Sequence, residues 1–334
     1  MWEIKRYSKE KAEEWNEFVS TSRNSTFLFL REYMDYHSDR FTDMSLMAYR
    51  NGKLSALLPA NISGLTLHSH QGLTYGGWIL PPSGLDTSEI FHLWRCWLEY
   101  CKSQAIQKIE YKPLPYIYAT APSQEDLYML FLSHASLIRT DISTAIDLQH
   151  NPGFNKLQKR HLRKGEDSFY WRLVLPEEKD IMNEFHVMLR LCLKERHGTV
   201  PVHSPEELEL LISRFPDNIL VWALYSNEDD RMVAAVCVYE TNVCAHCQYI
   251  ATTEEGRALN ALPVLFKEII RFYGGKGYRF LDVGISNEAD GLRLNEGLNR
   301  QKTSFGGSGV AYQRFKINVA SALESLPNEL WPKE

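Results

Sequence analysis

The chain has 334 residues, 44% of them hydrophobic, 24% charged and 12% aromatic, with 37 Lys and Arg against 42 Asp and Glu. This is globular composition, which excludes a disordered chain, and the length suits two domains that each bury a core. A formal net charge of -5 gives no global field for a polyanion, so nucleic-acid contact would need a local basic patch.

The opening segment MWEIKRYSKEKAEEW is charged and lacks the apolar run of a signal peptide. No stretch reaches the roughly 20 apolar residues of a membrane span, and a reducing cytoplasm is the expected compartment. Most of the six cysteines sit in apolar runs such as MVAAVCVYE and are expected as buried free thiols. Cys244 and Cys247 form a C-x-x-C, but on a strand residues three apart point to opposite faces, so no metal is expected there.

In chain order, the spacing predicts helices at Ala12 to Val19 and Arg31 to His37, then a strand from Met44 to Tyr49. Asn51-Gly52 turns the chain into a returning strand, LSALLPANI. The polar, glycine-rich run LHSHQGLTYGG leads to a helix over Ser88 to Ser103 and a strand, IQKIEYKP. Turn residues cluster at His150-Asn151-Pro152-Gly153, which predicts modules over 1–150 and 151–334.

The second half repeats the order. Helices over Met182 to Lys194 and after Ser204-Pro205 precede the strands NILVWALYS, RMVAAVCVYE and NVCAHCQYIA. ERHGTVPVHS, with His197 and His203, is predicted as a loop between those helices that rims the pocket. A turn, Thr253-Glu254-Glu255-Gly256, opens the helix ALNALPVLFKEIIRFYG, and the strand YRFLDVGIS follows. Both halves thus run helices, strand meander, long helix, strand, a length and order that suit one α/β unit each. Individual residues do not match between the halves, so the repeat is one of pattern.

That order, with a strand feeding a helix through a glycine turn, resembles the GNAT acyltransferase fold. Such a turn leaves backbone N–H groups unpaired at a helix start, where they can hold an anion. Gly256 and Ala258 match the small positions of the family's loop, while Thr253 replaces its Arg or Gln and Glu254 and Glu255 oppose a pyrophosphate. Arg257 is expected to compensate. The resemblance implies a donor site at Gly256, Arg257, Ala258 and Asn260.

LDVGISNEADGLRLNEGLNRQKTSFGG resembles the closing segment of the FemAB-like branch, matching at Asp282, Gly284, Gly297, Leu298, Lys302, Phe305 and Gly306, with Gln301 in place of that branch's Phe. FNKLQKRHLRKGEDSFYWRL resembles the start of that branch's second module, ahead of its first strand. The resemblance implies an α/β (α+β) chain of two tandem GNAT-like modules, each with a mixed, mostly antiparallel sheet flanked by helices. Its implied activity is N-acyl transfer to an amine, with acyl-CoA as co-substrate and no metal. The FemAB-type alternative takes an aminoacyl group from tRNA, and a third reading is a binding protein that kept the fold without the chemistry.

N-acyl transfer needs a base for the amine and charge stabilisation for the carbonyl oxygen. On the strand before the glycine turn, alternation puts Cys244, His246 and Gln248 on one face and Ala245, Cys247 and Tyr249 on the other. His246 is the base by type, Asp282 the second candidate, and Tyr249 a proton donor to the leaving group. The resemblance implies that Lys302 stabilises an oxyanion or a phosphate-bearing leaving group. Arg160, Arg163 and Lys164, with Lys156 and Lys159, form a cationic helix face for a nucleotide-linked acceptor, a CoA or a tRNA end. His70 and Tyr75, in the glycine-rich run, are expected to line the pocket of a small-molecule amine acceptor. His68 and His70 share a face without a nearby third ligand, which leaves a metal there unexpected.

Overall fold

The computed structural model describes residues 1–330, with side chains for all of these except residues 196 and 197. The chain divides into two compact units. One comprises Met1–Asp141, Ala289–Leu292 and the residues from Ala311 on; the other comprises Ile142–Glu288 and Arg293–Val310. The turn cluster at His150–Gly153 lies inside the second unit, because the strand Ser136–Asp147 pairs from Ser143 to Asp147 with the strand Phe280–Ile285. The last strand and helix return to the first unit, so a single cut of the chain does not separate the two.

In the first unit Trp2–Arg6, Leu46–Arg50 and Lys53–Leu58 form an antiparallel sheet. The turn joining the last two holds Asn51 at φ 51° and Gly52 at φ 81°, the left-handed pair that matches strand twist in a two-residue hairpin. A second sheet runs Thr42–Asp43, Asn61–Ser63, Thr66–His68, Lys108–Tyr111 and the end of Ser308–Asn318. Thr66–His68 and Lys108–Tyr111 are parallel, as strands joined by a crossover helix must be. That helix, Thr87–Ser103, starts in a capping box of Asp86 and Glu89 and buries Ile90, Trp94, Trp97 and Cys101 along one stripe. Trp94 and Trp97 meet edge to face at 4.8 Å, and Ile317, Val319 and Ala322 complete this core.

The main strands of the second unit run in the order Ser143–Asp147, Phe280–Ile285, Cys244–Thr252, Met232–Glu240, Ile219–Ser226, Phe169–Val174. All neighbours are antiparallel except Cys244–Thr252 and Phe280–Ile285, which flank the helix Ala261–Gly275. Where the sequence suggests one continuous helix from Ala258, the chain breaks at Asn260, which sits in the left-handed region at φ 62° between Glu254–Ala258 and Ala261–Gly275. The restart places Pro263 in a first turn, where its missing N–H breaks no helical bond. Leu262, Leu265, Phe266, Ile269 and Tyr273 then face Val236, Val238, Ala245 and Leu281 of the sheet. Lys156–Gly165, Lys179–His197 and Pro205–Arg214 are further helices of the unit, the last opened by a Ser204–Glu207 capping box. No helix among the described residues is long and apolar enough to cross a membrane.

Candidate functional site

The parallel strands Cys244–Thr252 and Phe280–Ile285 pair only over Cys244–Phe280, Ala245–Leu281 and His246–Asp282. Beyond that register they part. The last paired residues carry the chemistry: His246 Nδ1 lies 2.9 Å from Asp282 Oδ2. Asp282 is fully buried, and its other oxygen accepts from Ser143 Oγ at 2.5 Å and from the Gly284 N–H at 3.0 Å. An ionised carboxylate only accepts, so the tautomer it selects in this contact carries its hydrogen on Nδ1. Ser143 has no counterpart in the sequence reading; it reaches the site from 139 residues away.

Gly284 stands at φ 84°, and a Cβ there would lie 3.7 Å from Lys302 Nζ and 3.8 Å from His246 Cε1. Its positive φ favours glycine, and the two side chains converge beside it. Lys302 Nζ donates to the carbonyls of Gly284 at 2.9 Å and Ile285 at 2.6 Å. Burial pushes the Lys302 ammonium down to about 8, against the pull of the Asp282 carboxylate. The structure therefore joins His246, Asp282 and Lys302 in one cluster.

Tyr249 requires a correction of its face. A bulge at Gln248 shifts the pairing: Tyr239 and Cys237 oppose His246 and Tyr249, while Val238 and Val236 oppose Cys247 and Ile250. Paired residues share a face, so the extra residue brings Tyr249 to the side of His246. Tyr249 is buried, and its hydroxyl lies 2.7 Å from His203 Nδ1 and accepts from the His203 N–H at 3.2 Å. His203 is thus a packed partner of this strand and not a rim residue; the side chain of His197 lies outside the described residues.

The gap between the parted strands holds a narrow apolar cavity of about 60 Å³ lined by Ile250, Thr252, Leu262, Phe266, Val283, Lys302 and Phe305 among others. A wider cavity of about 270 Å³ adjoins the glycine turn, between Met188, Leu191 and Cys192 of one helix and Thr252, Thr253 and Arg257. Gly256 is obligatory there, because a Cβ would stand 2.3 Å from the Val233 carbonyl. Thr253 caps the short helix by accepting from the Gly256 N–H at 3.0 Å. Arg257 lines this cavity with its guanidinium donating to the Thr252 carbonyl at 3.0 Å and 3.6 Å from Glu195. Glu184, Glu195 and Glu254 also line it, all exposed to solvent that screens them. Ala258 is exposed at the end of the short helix, and Asn260 serves as the bend described above.

Lys156, Lys159, Arg160, Arg163 and Lys164 are exposed on the helix Lys156–Gly165, and none makes an ion pair among the described residues. His70 and Tyr75 fall elsewhere. His70 is 3% exposed, stacks on His37 at 5.3 Å, and is pushed down to about 3 by burial, which keeps it neutral. Tyr75 is 3% exposed and packs against Phe29 and Tyr118. Both are core residues of the first unit, buried by these ring contacts, and the neighbouring Gly76 packs its backbone against Ser69. Cys244 and Cys247 are buried free thiols, and no group of three or more metal-ligating side chains gathers among the described residues.

Residues 155–290 match the family model described as an acetyltransferase (GNAT) domain. No curated protein sequence matches the chain. In fold the chain is similar to FemX, at 10% identity and a TM-score of 0.68 over 94% of this chain and 96% of that one. It is likewise similar to L-PGS from Bacillus licheniformis, at 11% identity and 0.59 over 96% and 97%. A tandem GNAT protein from the clavulanic acid biosynthesis pathway matches at 10% identity and 0.51 over 96% and 99%. The fold is thus that of a tandem GNAT protein. The segment that matches the GNAT domain model lies in the second unit and contains His246 and Asp282, with Lys302 following it.

Proposed function

We propose that the protein transfers an acyl group from an acyl-CoA thioester to an amine. The observation that carries this reading is the His246–Asp282 pair, set where the strands part and beside the Lys302 ammonium. His246 Nε2 accepts the proton as the amine nitrogen bonds to the acyl carbon. Lys302 lies against the developing oxyanion. When the carbon–sulfur bond breaks, the imidazolium returns that proton to the thiolate. Asp282 and Ser143 act as positioning residues that hold the ring's tautomer. The apolar gap takes the donor's thioester arm, and the cavity at the glycine turn takes its phosphates, held by Arg257 against screened carboxylates.

A second reading, an aminoacyl-tRNA donor, is favoured by the five cations on Lys156–Gly165 that make no ion pair among the described residues and suit a phosphate backbone. Thermal melting with acetyl-CoA, longer acyl-CoAs, free CoA and uncharged tRNA separates the two. A CoA present at 100 times its Kd is expected to add about 2.7 kcal/mol of stability. A shift with tRNA and none with any CoA would overturn the thioester reading.

The pH profile carries the Lys302 role. Its ammonium, pushed down to about 8 from the ordinary 10.5, loses its proton as pH rises through 8, so kcat/KM is expected to fall on that limb. Folding responds with the opposite sign. The unfolded chain binds the extra proton between about 8 and 10.5, so the Lys302 contribution to stability rises across the same window. In Lys302→Arg, which stays charged, the alkaline fall in kcat/KM should move well above pH 8. A limb left in place would assign it to another group.

A further inference from the structure

The first unit repeats the strand geometry of the catalytic cluster with different side chains. Thr66, Leu67 and His68 pair in parallel with Lys108, Ile109 and Glu110, and the last pair is again a histidine opposite a carboxylate. His68 is 8% exposed, with Nδ1 3.4 Å from Glu110 Oε2. Past this register the chains part, Ser69 Oγ accepting from the Lys112 N–H at 2.7 Å. The space is a polar cavity of about 160 Å³ lined by His68, Gln71, Glu110, Lys112 and Arg314.

Its lining is rich in donors. Lys112 Nζ donates to the Leu73 carbonyl, and burial together with the Arg314 guanidinium pushes it down to about 7. Two cations so placed repel each other and gain from an anion between them. Arg314 is half-buried and has no hydrogen bond or ion pair among the described residues, which leaves its guanidinium donors available to a ligand in the cavity. The Gln71 amide oxygen already accepts from Asn61 Nδ2 at 2.7 Å, which leaves its N–H groups as the remaining function. Glu110 is the sole carboxylate of the lining and is engaged by His68. The volume suits one small oxyanion and not a whole nucleotide cofactor.

We propose that this cavity is a second ligand site, which binds the oxyanionic group of a small molecule, a carboxylate or a phosphate, through Arg314, Lys112 and Gln71. The site stands apart from the acyl-transfer reading, since its test measures binding without turnover.

The experiment is calorimetric titration of the full chain at low ionic strength with inorganic phosphate in one arm and acetate in the other. Binding in either arm is expected, and the stronger arm identifies the chemistry. Arg314→Gln should weaken it at least about tenfold, while Arg314→Lys, which keeps the charge, should lose less. Arg160→Gln/Arg163→Gln, on the exposed cationic helix, should leave it unchanged. Circular dichroism establishes that each variant is folded. No heat in either arm overturns the proposal; so does binding that survives Arg314→Gln or that disappears in the Arg160/Arg163 variant.

Discussion

A His246→Ala variant is expected to lose about 10²- to 10⁴-fold in kcat/KM for acyl transfer, the range that a positioned general base contributes. Its ligand-induced thermal shift should remain, because the cavities at the parted strands are lined by other residues. The fold should tolerate the change: Asp282 keeps its bonds from Ser143 Oγ and the Gly284 N–H. Asp282→Asn tests the same chemistry through the tautomer. An amide can donate toward Nδ1, which moves the imidazole hydrogen to Nε2 and removes the lone pair that takes the amine proton. A loss comparable to that of His246→Ala is therefore expected with protein stability little changed; the matching substitution in a serine-protease triad costs about 10⁴ for this reason. If His246→Ala turns over at the wild-type rate, the base lies elsewhere.

Phe266→Ala is expected to destabilise the second unit by about 3–5 kcal/mol, the usual cost of emptying a buried phenylalanine site. Phe266 is fully buried on the helix Ala261–Gly275 and stacks on Phe305 with ring centroids 4.5 Å apart and planes 12° from parallel. The stack fastens the segment carrying Lys302 to the helix, and both rings line the apolar gap. Truncation thus removes apolar burial, the ring contact and one wall of the gap. Urea unfolding measures it, with Leu210→Ala as a control: that side chain is 39% exposed, and its removal should cost within about 0.5 kcal/mol. Equal midpoints for the two variants would show that the Phe266 site collapses at no cost.

Much of the architecture was legible locally. The Ser204 cap, the Asn51-Gly52 turn and the apolar stripe of Thr87–Ser103 are short-range signals, and each lies where it was expected. Elements without such signals were not. The strand Ser136–Asp147 and the helix Glu125–Leu132 carry neither clear alternation nor a capping side chain. The break at Asn260 was hidden because Ala258 to Gly274 reads as one apolar-periodic run.

For the candidate site, residue type and strand position singled out His246 and Asp282, while Lys302 came from the resemblance of the closing segment to a known branch. Strand alternation misplaced Tyr249, because a single bulged residue inverts every face beyond it and leaves no mark on the sequence. His70 and Tyr75 looked like pocket residues from the polar run around them, yet packing against His37 and Phe29 buries both. Ser143 and Arg314 enter their sites through strand pairing between distant segments. The sequence by itself determined the class of fold and the residue types able to do the chemistry, because periodicity, caps and turns act within a few residues. Only the tertiary structure decided which side chains meet, because register, bulges and the parting of parallel strands arise from contacts between segments far apart in the chain.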